Sequence, residues 1–206
     1  EVIESDAAIR LGVLEQLARQ GADPDKILEL AGSDFQPARG EETPRWQRLM
    51  LDGLVKRGDV CSAYKAWTRL AGMQAAAAPN TIYDPDFRGL PGPAPFNWRF
   101  EQTSDGFAEV SRSTPGLFAE YAARQSVSLG GQLIRLAPGR YSLGFQAEGQ
   151  AEGEDGGLAW TISCHPSGRQ IGEVPITGVE YTPKTISGSF TVPASRCPAQ
   201  WLRLVG

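Results

Sequence analysis

The sequence predicts an α + β protein in separate segments: helical hairpins over residues 1–78, a Pro/Gly-rich linking loop over 79–96, and an antiparallel β-sandwich over 97–206. Three observations predict this. Composition breaks near Ala75–Pro79, with 3 of the 15 prolines and 7 of the 24 glycines before it. Apolar residues recur at a spacing of three and four before the break and alternate at period two after it. Turn residues separate short apolar segments throughout the second part, the pattern of an all-β unit.

In the first part, Ser5 or Asp6 is read as the cap of a helix whose Ile9, Val13, Leu14 and Leu17 form an inward stripe, ending at Gly21. Pro24 suits the first turn of a short helix through Ile27, Leu28 and Leu30, stopped by Gly32. Thr43-Pro44 opens a third helix carrying Trp46, Leu49, Met50 and Leu54 to Gly58. A fourth starts at Asp59 and runs through Ala63, Trp67 and Leu70.

The loop from Tyr83 to Pro95 excludes a regular element, because its prolines and glycines break both ladders. Strands are then expected near Asn97–Glu101, Gly106–Arg112, Leu117–Ala122, Gln132–Leu136, Arg140–Ala147, Leu158–His165, Arg169–Val174, Thr185–Val192 and Gln200–Val205. The firmest period-two faces are Tyr141, Leu143 and Phe145, and Phe190 with Val192.

Charge narrows the partners. Twenty basic and 24 acidic residues give a net charge of −4, shared equally between the two parts, so no segment carries the positive field that nucleic acid requires. No run approaches the roughly eighteen apolar residues of a membrane-spanning helix. The chain opens at Glu1 rather than a methionine and reads as the interior of a longer protein, with further helices expected before it.

The pair of helices from Trp46 to Trp67 resembles one tetratricopeptide-type repeat. The Gly58-Asp59 turn, small Ala63 and bulky Trp67 fall where that family needs a tight turn, a close helix crossing and a filler. Leu51 and Leu70 replace small residues of its pattern. The resemblance implies a protein partner for the helices, and an array of more than one repeat.

Residues from about Asp84 onward resemble the galactose-binding-like jelly rolls of carbohydrate-binding modules. The resemblance rests on Gln132 to Gly149 with its Pro138-Gly139 turn, on Phe190 to Ala194 leading into Trp201 and Leu204, and on Asp84-Pro-Asp-Phe87 followed by Trp98. It implies a glycan partner. Sugars pack an apolar C–H face on an aromatic ring while their hydroxyls seek donors and acceptors. Trp98, Tyr121, Trp160 and Tyr181 are the candidate ligand residues, with core packing the rival account of each.

Cys164 and Cys197 lie at strand ends in the β part, and Cys61 lies alone in a helix. A Cys164–Cys197 disulfide would place the chain in an oxidising compartment, periplasmic or extracellular; the alternative is three reduced cysteines in a cytosolic protein.

Chemistry is harder to find. His165 is the sole histidine, sits in a turn beside Cys164, and has no nucleophile motif to serve. No metal-ligand spacing occurs, and no cofactor motif is present. The acidic stretch Glu148–Asp155, with Glu152, Glu154 and Asp155, reads as a solvated hairpin tip, with a calcium loop as the alternative; Asp84 and Asp86 read as a turn around Pro85.

The expectation is therefore a non-catalytic cell-envelope accessory protein, serving polysaccharide production or export, that binds a protein through its helices and a glycan through its sandwich. The competing reading is a scaffold with no sugar site.

Overall fold

Proline and aspartate punctuate the helices as their chemistry requires. In a computed structural model of the chain, residues 2–32, 43–72, 82–111, 114–122, 125–150 and 157–206 are described, the side chains of 2–7 excepted. The composition break at Ala75–Pro79 falls outside them, as do Glu152, Glu154 and Asp155. The chain divides into two units, residues 1–78 with 89–97, and residues 79–88 with 98–206.

The helical unit holds α1 (Val2–Gln20), α2 (Pro24–Ala31), α3 (Arg45–Lys56) and α4 (Val60–Leu70). Asp23 caps α2, its carboxylate accepting from the Asp25 N–H at 2.9 Å. Asp59 caps α4 by accepting from the Ser62 N–H at 3.1 Å, an interaction worth about 1 kcal/mol. The start of α1 corrects the sequence reading: the helix begins at Val2, so Ser5 and Asp6 lie within it rather than capping it.

The inward face of α1 is corrected too. Leu14 and Ala18 are buried, whereas Ile9 and Val13 are exposed. Apolar residues stand on all sides of this helix, so spacing alone did not select the packed stripe. Leu30 of α2 likewise faces out, although its carbonyl is used: the Arg10 guanidinium donates to Leu30 O at 2.9 and 3.1 Å and also to Ala31 O. A cation there meets the orphan carbonyls at the end of α2.

Trp67 organises the unit. Fully buried on α4, it donates its indole N–H to Pro93 O at 2.9 Å. Its ring lies 5.7 Å from that of Phe96 and 5.6 Å from that of Tyr64. The second half of the expected linking loop, 89–96, and Asn97, expected to open the first strand, thus belong with the helices. Asn97 pins it further by donating to Leu90 O and Gly92 O, both at 2.9 Å.

The other unit is an antiparallel sandwich, and all nine expected strands form. They are β1 (Arg99–Phe100), β2 (Gly106–Val110), β3 (Leu117–Tyr121), β4 (Ser128–Ile134), β5 (Gly139–Ala147), β6 (Ala159–His165), β7 (Gln170–Pro175), β8 (Lys184–Val192) and β9 (Ala199–Val205). One layer is a five-stranded sheet in the order β1-β4-β9-β6-β7; the pairs β2-β3 and β5-β8 supply the other. Between them lies a core built on Leu129, Trp160, Ile162, Phe190, Leu202 and Leu204. Tyr141, Leu143 and Phe145 of β5 pack on it from one face, as their alternation required.

β4 starts four residues before the expected Gln132 because Gly130 and Gly131 hide its pattern. Both are needed there, since a Cβ at either would collide with the backbone of a neighbouring strand. Layer packing makes a similar demand. A Cβ on Gly172 of β7 would stand 2.6 Å from Phe190 Cβ, and one on Gly188 of β8 would stand 2.6 Å from Val174 Cγ2.

Two buried glutamines tie loops to the sheet. Gln132 exchanges two 2.9 Å hydrogen bonds with the backbone of Tyr83, its Nε2 donating to the carbonyl and its Oε1 accepting from the N–H. Gln200 accepts from the Leu136 N–H at 2.8 Å and donates to Cys197 O at 3.0 Å. Burial without such partners would cost about 1–3 kcal/mol per group.

Cys164 and Cys197 form the expected disulfide across a separation of 33 residues, and Cys61 is an exposed thiol outside that bond. Closing that loop contributes about 3–4 kcal/mol in the chain-entropy model.

Two outcomes follow. Thiol titration of the denatured, unreduced chain should count one reactive cysteine, and Cys164→Ser with Cys197→Ser should lower unfolding stability by about 3–4 kcal/mol in a urea melt. Gly172→Ala should cost about 1–3 kcal/mol through the clash with Phe190, where alanine at an exposed strand position costs far less.

Candidate ligand-binding site

Two loops at one end of the sandwich form the candidate site. β5 and β8 are hydrogen-bonded neighbours whose ladder runs out at Ala147 and Lys184. The chain beyond each continues in company: the Gly149 N–H donates to Glu180 O at 2.8 Å. Lys184 steadies the second loop by donating from Nζ to Gly178 O at 3.1 Å, and the Ile176 N–H donates to Leu158 O at 2.8 Å.

A surface hollow of about 320 Å³ opens there, lined by Gly149, Gln150, Val179, Glu180, Tyr181 and Thr182. That lies at the low end of the roughly 300–1,000 Å³ of small-molecule clefts. Tyr181 is 78% exposed, more than any other large apolar or aromatic residue described. Its hydroxyl donates to Gln150 Oε1 at 2.8 Å, which holds the ring against the partner loop. The residues that line this open hollow carry an aromatic ring, a carboxamide, a carboxylate and a hydroxyl. Such a set can stack an apolar face and accept or donate hydrogen bonds around it; it offers no activated nucleophile.

The other three candidates lie elsewhere. Trp160 is 6% exposed and belongs to the core. Trp98 is half-buried, donates its indole N–H to Asp84 O at 2.9 Å, and sits among Phe87, Phe100 and Trp160 at ring separations of 4.9, 5.8 and 5.6 Å. Tyr121 packs on the core by its ring and donates its hydroxyl to Gln125 O at 3.1 Å. Packing and internal hydrogen bonds account for all three, and none of them meets Tyr181.

The acidic residues resolve similarly. Asp84 is buried and accepts from the Arg88 N–H at 2.8 Å, while Asp86 pairs with the Arg88 side chain at 2.8 Å. This is the turn expected around Pro85. Next to it, burial and then the Asp84 carboxylate push the Tyr83 phenol above its ordinary range. On β9 the Arg203 guanidinium lies 4.5 Å above the Trp201 ring. Burial lowers its pKa, opposed by Glu101. Among the described residues, no three His, Cys, Asp or Glu side chains gather as a metal site, and no helix is long and apolar enough to cross a membrane.

Sequence reasoning missed one surface aromatic pair. Phe107 and Phe118 lie on the outward face of β2 and β3 with centroids 5.7 Å apart, Phe118 being 52% exposed. The signal was the tripeptide Phe-Ala-Glu, which occurs at 107–109 and again at 118–120. Only the strand register turns it into a surface.

No family model matches the chain, and no curated protein matches it. Among solved structures, the carbohydrate-binding module of Cellvibrio mixtus lichenase 5A, in complex with cellotriose, is similar over 52% of this chain and 88% of its own. The identity is 18% and the TM-score 0.31, too slight a likeness to carry an argument about a ligand.

Trp160→Ala should destabilise the protein by about 3–5 kcal/mol, whereas Tyr181→Ala should change stability by no more than about 0.5 kcal/mol. Thermal or urea melts of the two variants measure the contrast.

Proposed function

We propose that this chain is a non-catalytic accessory protein of the cell envelope whose sandwich holds a glycan at the Tyr181 hollow. The observation that carries the reading is the ring itself: a tyrosine left open to solvent, yet held in place by Gln150, with Glu180 and Thr182 beside it. A large ring held in water by a built contact suits stacking on a pyranose, and the flanking amide, carboxylate and hydroxyl suit its hydroxyl groups. The buried disulfide supports export to an oxidising compartment, periplasmic or extracellular. Polysaccharide production or export is the setting in which such a binding unit serves.

The helices are read as tetratricopeptide-like and as the unit that recruits a protein. Support comes from Ala63 and Trp67, both fully buried on α4 after the Gly58-Asp59 turn, where that repeat needs a close crossing and a filler. A scaffold without a sugar site is the second reading. It is favoured by the internal partners that occupy Trp98, Tyr121 and Trp160.

Titration with a panel of neutral oligosaccharides, followed by amide NMR, separates the two. Glycan binding should shift the amides of residues 149–150 and 179–182, and Tyr181→Ala should weaken it about tenfold, the worth of one aromatic contact. A panel that moves none of these amides rejects the sugar site and leaves the scaffold.

A further inference from the structure

At the centre of the β2-β3 hairpin the small residues face in and larger ones face out. Ala108 and Ala119 face the core, opposite each other in the ladder. The larger residues of the same segments face outward: Phe107 stands opposite Glu120, and Glu109 opposite Phe118. The outward face is thus a two-by-two checkerboard, with phenylalanines on one diagonal and carboxylates on the other. Because the same Phe-Ala-Glu tripeptide runs along both antiparallel strands, the patch carries a local twofold axis through the Ala108–Ala119 pair.

Solvation alone accounts for exposed glutamates on a sheet, but not for the phenylalanines set between them. An outward-facing aromatic pair is the informative exception on a polar surface. Phe118, Glu109 and Glu120 are exposed and Phe107 is half-buried. Among the described residues neither carboxylate enters an ion pair.

We propose that this face docks an extended basic segment of a partner protein, with cationic side chains at alternate positions. The negative face of each ring attracts a cation, the aliphatic stem of lysine or arginine lies on the ring, and the head group reaches a carboxylate. Spacing fits the same occupant. Diagonal positions across an antiparallel pair lie roughly 7 Å apart, and alternate residues of an extended strand are about 6.8 Å apart on one face. The twofold symmetry lets such a segment lie in either direction. A neutral pyranose suits the patch less well, since the two rings are tilted by 47° and present no common plane for stacking.

The surface does not involve Tyr181, so its test is independent of the glycan reading. The full chain is titrated with the blocked peptide Arg-Ser-Arg, followed by amide NMR. Controls are Glu-Ser-Glu, Arg-Arg-Ser with the two charges adjacent, and a neutral oligosaccharide. Arg-Ser-Arg should shift the amides of residues 106–110 and 117–121, and 1 M salt should weaken it severalfold. Glu109→Gln with Glu120→Gln, and separately Phe118→Ser, should each weaken it by about fivefold or more; all three side chains are exposed, so melting curves should match the parent. The proposal is overturned if Arg-Ser-Arg leaves these amides unmoved, if Arg-Arg-Ser or Glu-Ser-Glu binds equally well, if the folded variants bind like the parent, or if the oligosaccharide moves these amides in its place.

Discussion

β9 is the constraint on which the sandwich depends. It is hydrogen-bonded along its length to β4 on one side and to β6 on the other. A strand in that position can leave no N–H or C=O unmatched, because burying one would cost as much as several good contacts return. Its register then decides what reaches the core: Gln200, Leu202 and Leu204 point to one side, Trp201 and Arg203 to the other. A slip of one residue would exchange the two sets. The disulfide at Cys197 and the Gln200 amide hold the strand's entry against such a slip.

Much of this was legible because β-structure writes itself at period two. Tyr141, Leu143 and Phe145 required one face, and that face was found. The helices were nearly as clear where an aspartate or a glycine marked an end. What escaped were features decided by neighbours distant in sequence. Ile9 and Val13 shared the spacing of a packed stripe with Leu14, yet only Leu14 of the three is buried, and Ala18 joins it. Gly130 and Gly131 hid the start of β4, their role being to let other backbones approach. Segment 89–96 read as a linker because nothing local reveals that Trp67 needs a carbonyl acceptor.

The same distinction runs through the candidate sites. Four aromatics could be named from composition and strand position, but exposure depends on which side of a sheet a ring takes and on what lies beside it. Trp98 and Trp160 found each other; Tyr181 found a glutamine and water. Phe107 and Phe118 went unnoticed although their tripeptides are identical, since their meaning lies in the pairing of two strands rather than in either one alone. A bond between cysteines, by contrast, needs only that two strand ends come together, and the strand-end positions of Cys164 and Cys197 made it one of the two readings.

That bond also changes the topology of the loop that carries Tyr181. Residues 164–197 form a covalent ring, and residues 176–183 lie on its circumference. A protease that cuts a ring once opens it without releasing anything, so both ends of the severed segment stay anchored to the same sheet. The exposed loop around Tyr181 can thus be cut once and still remain attached.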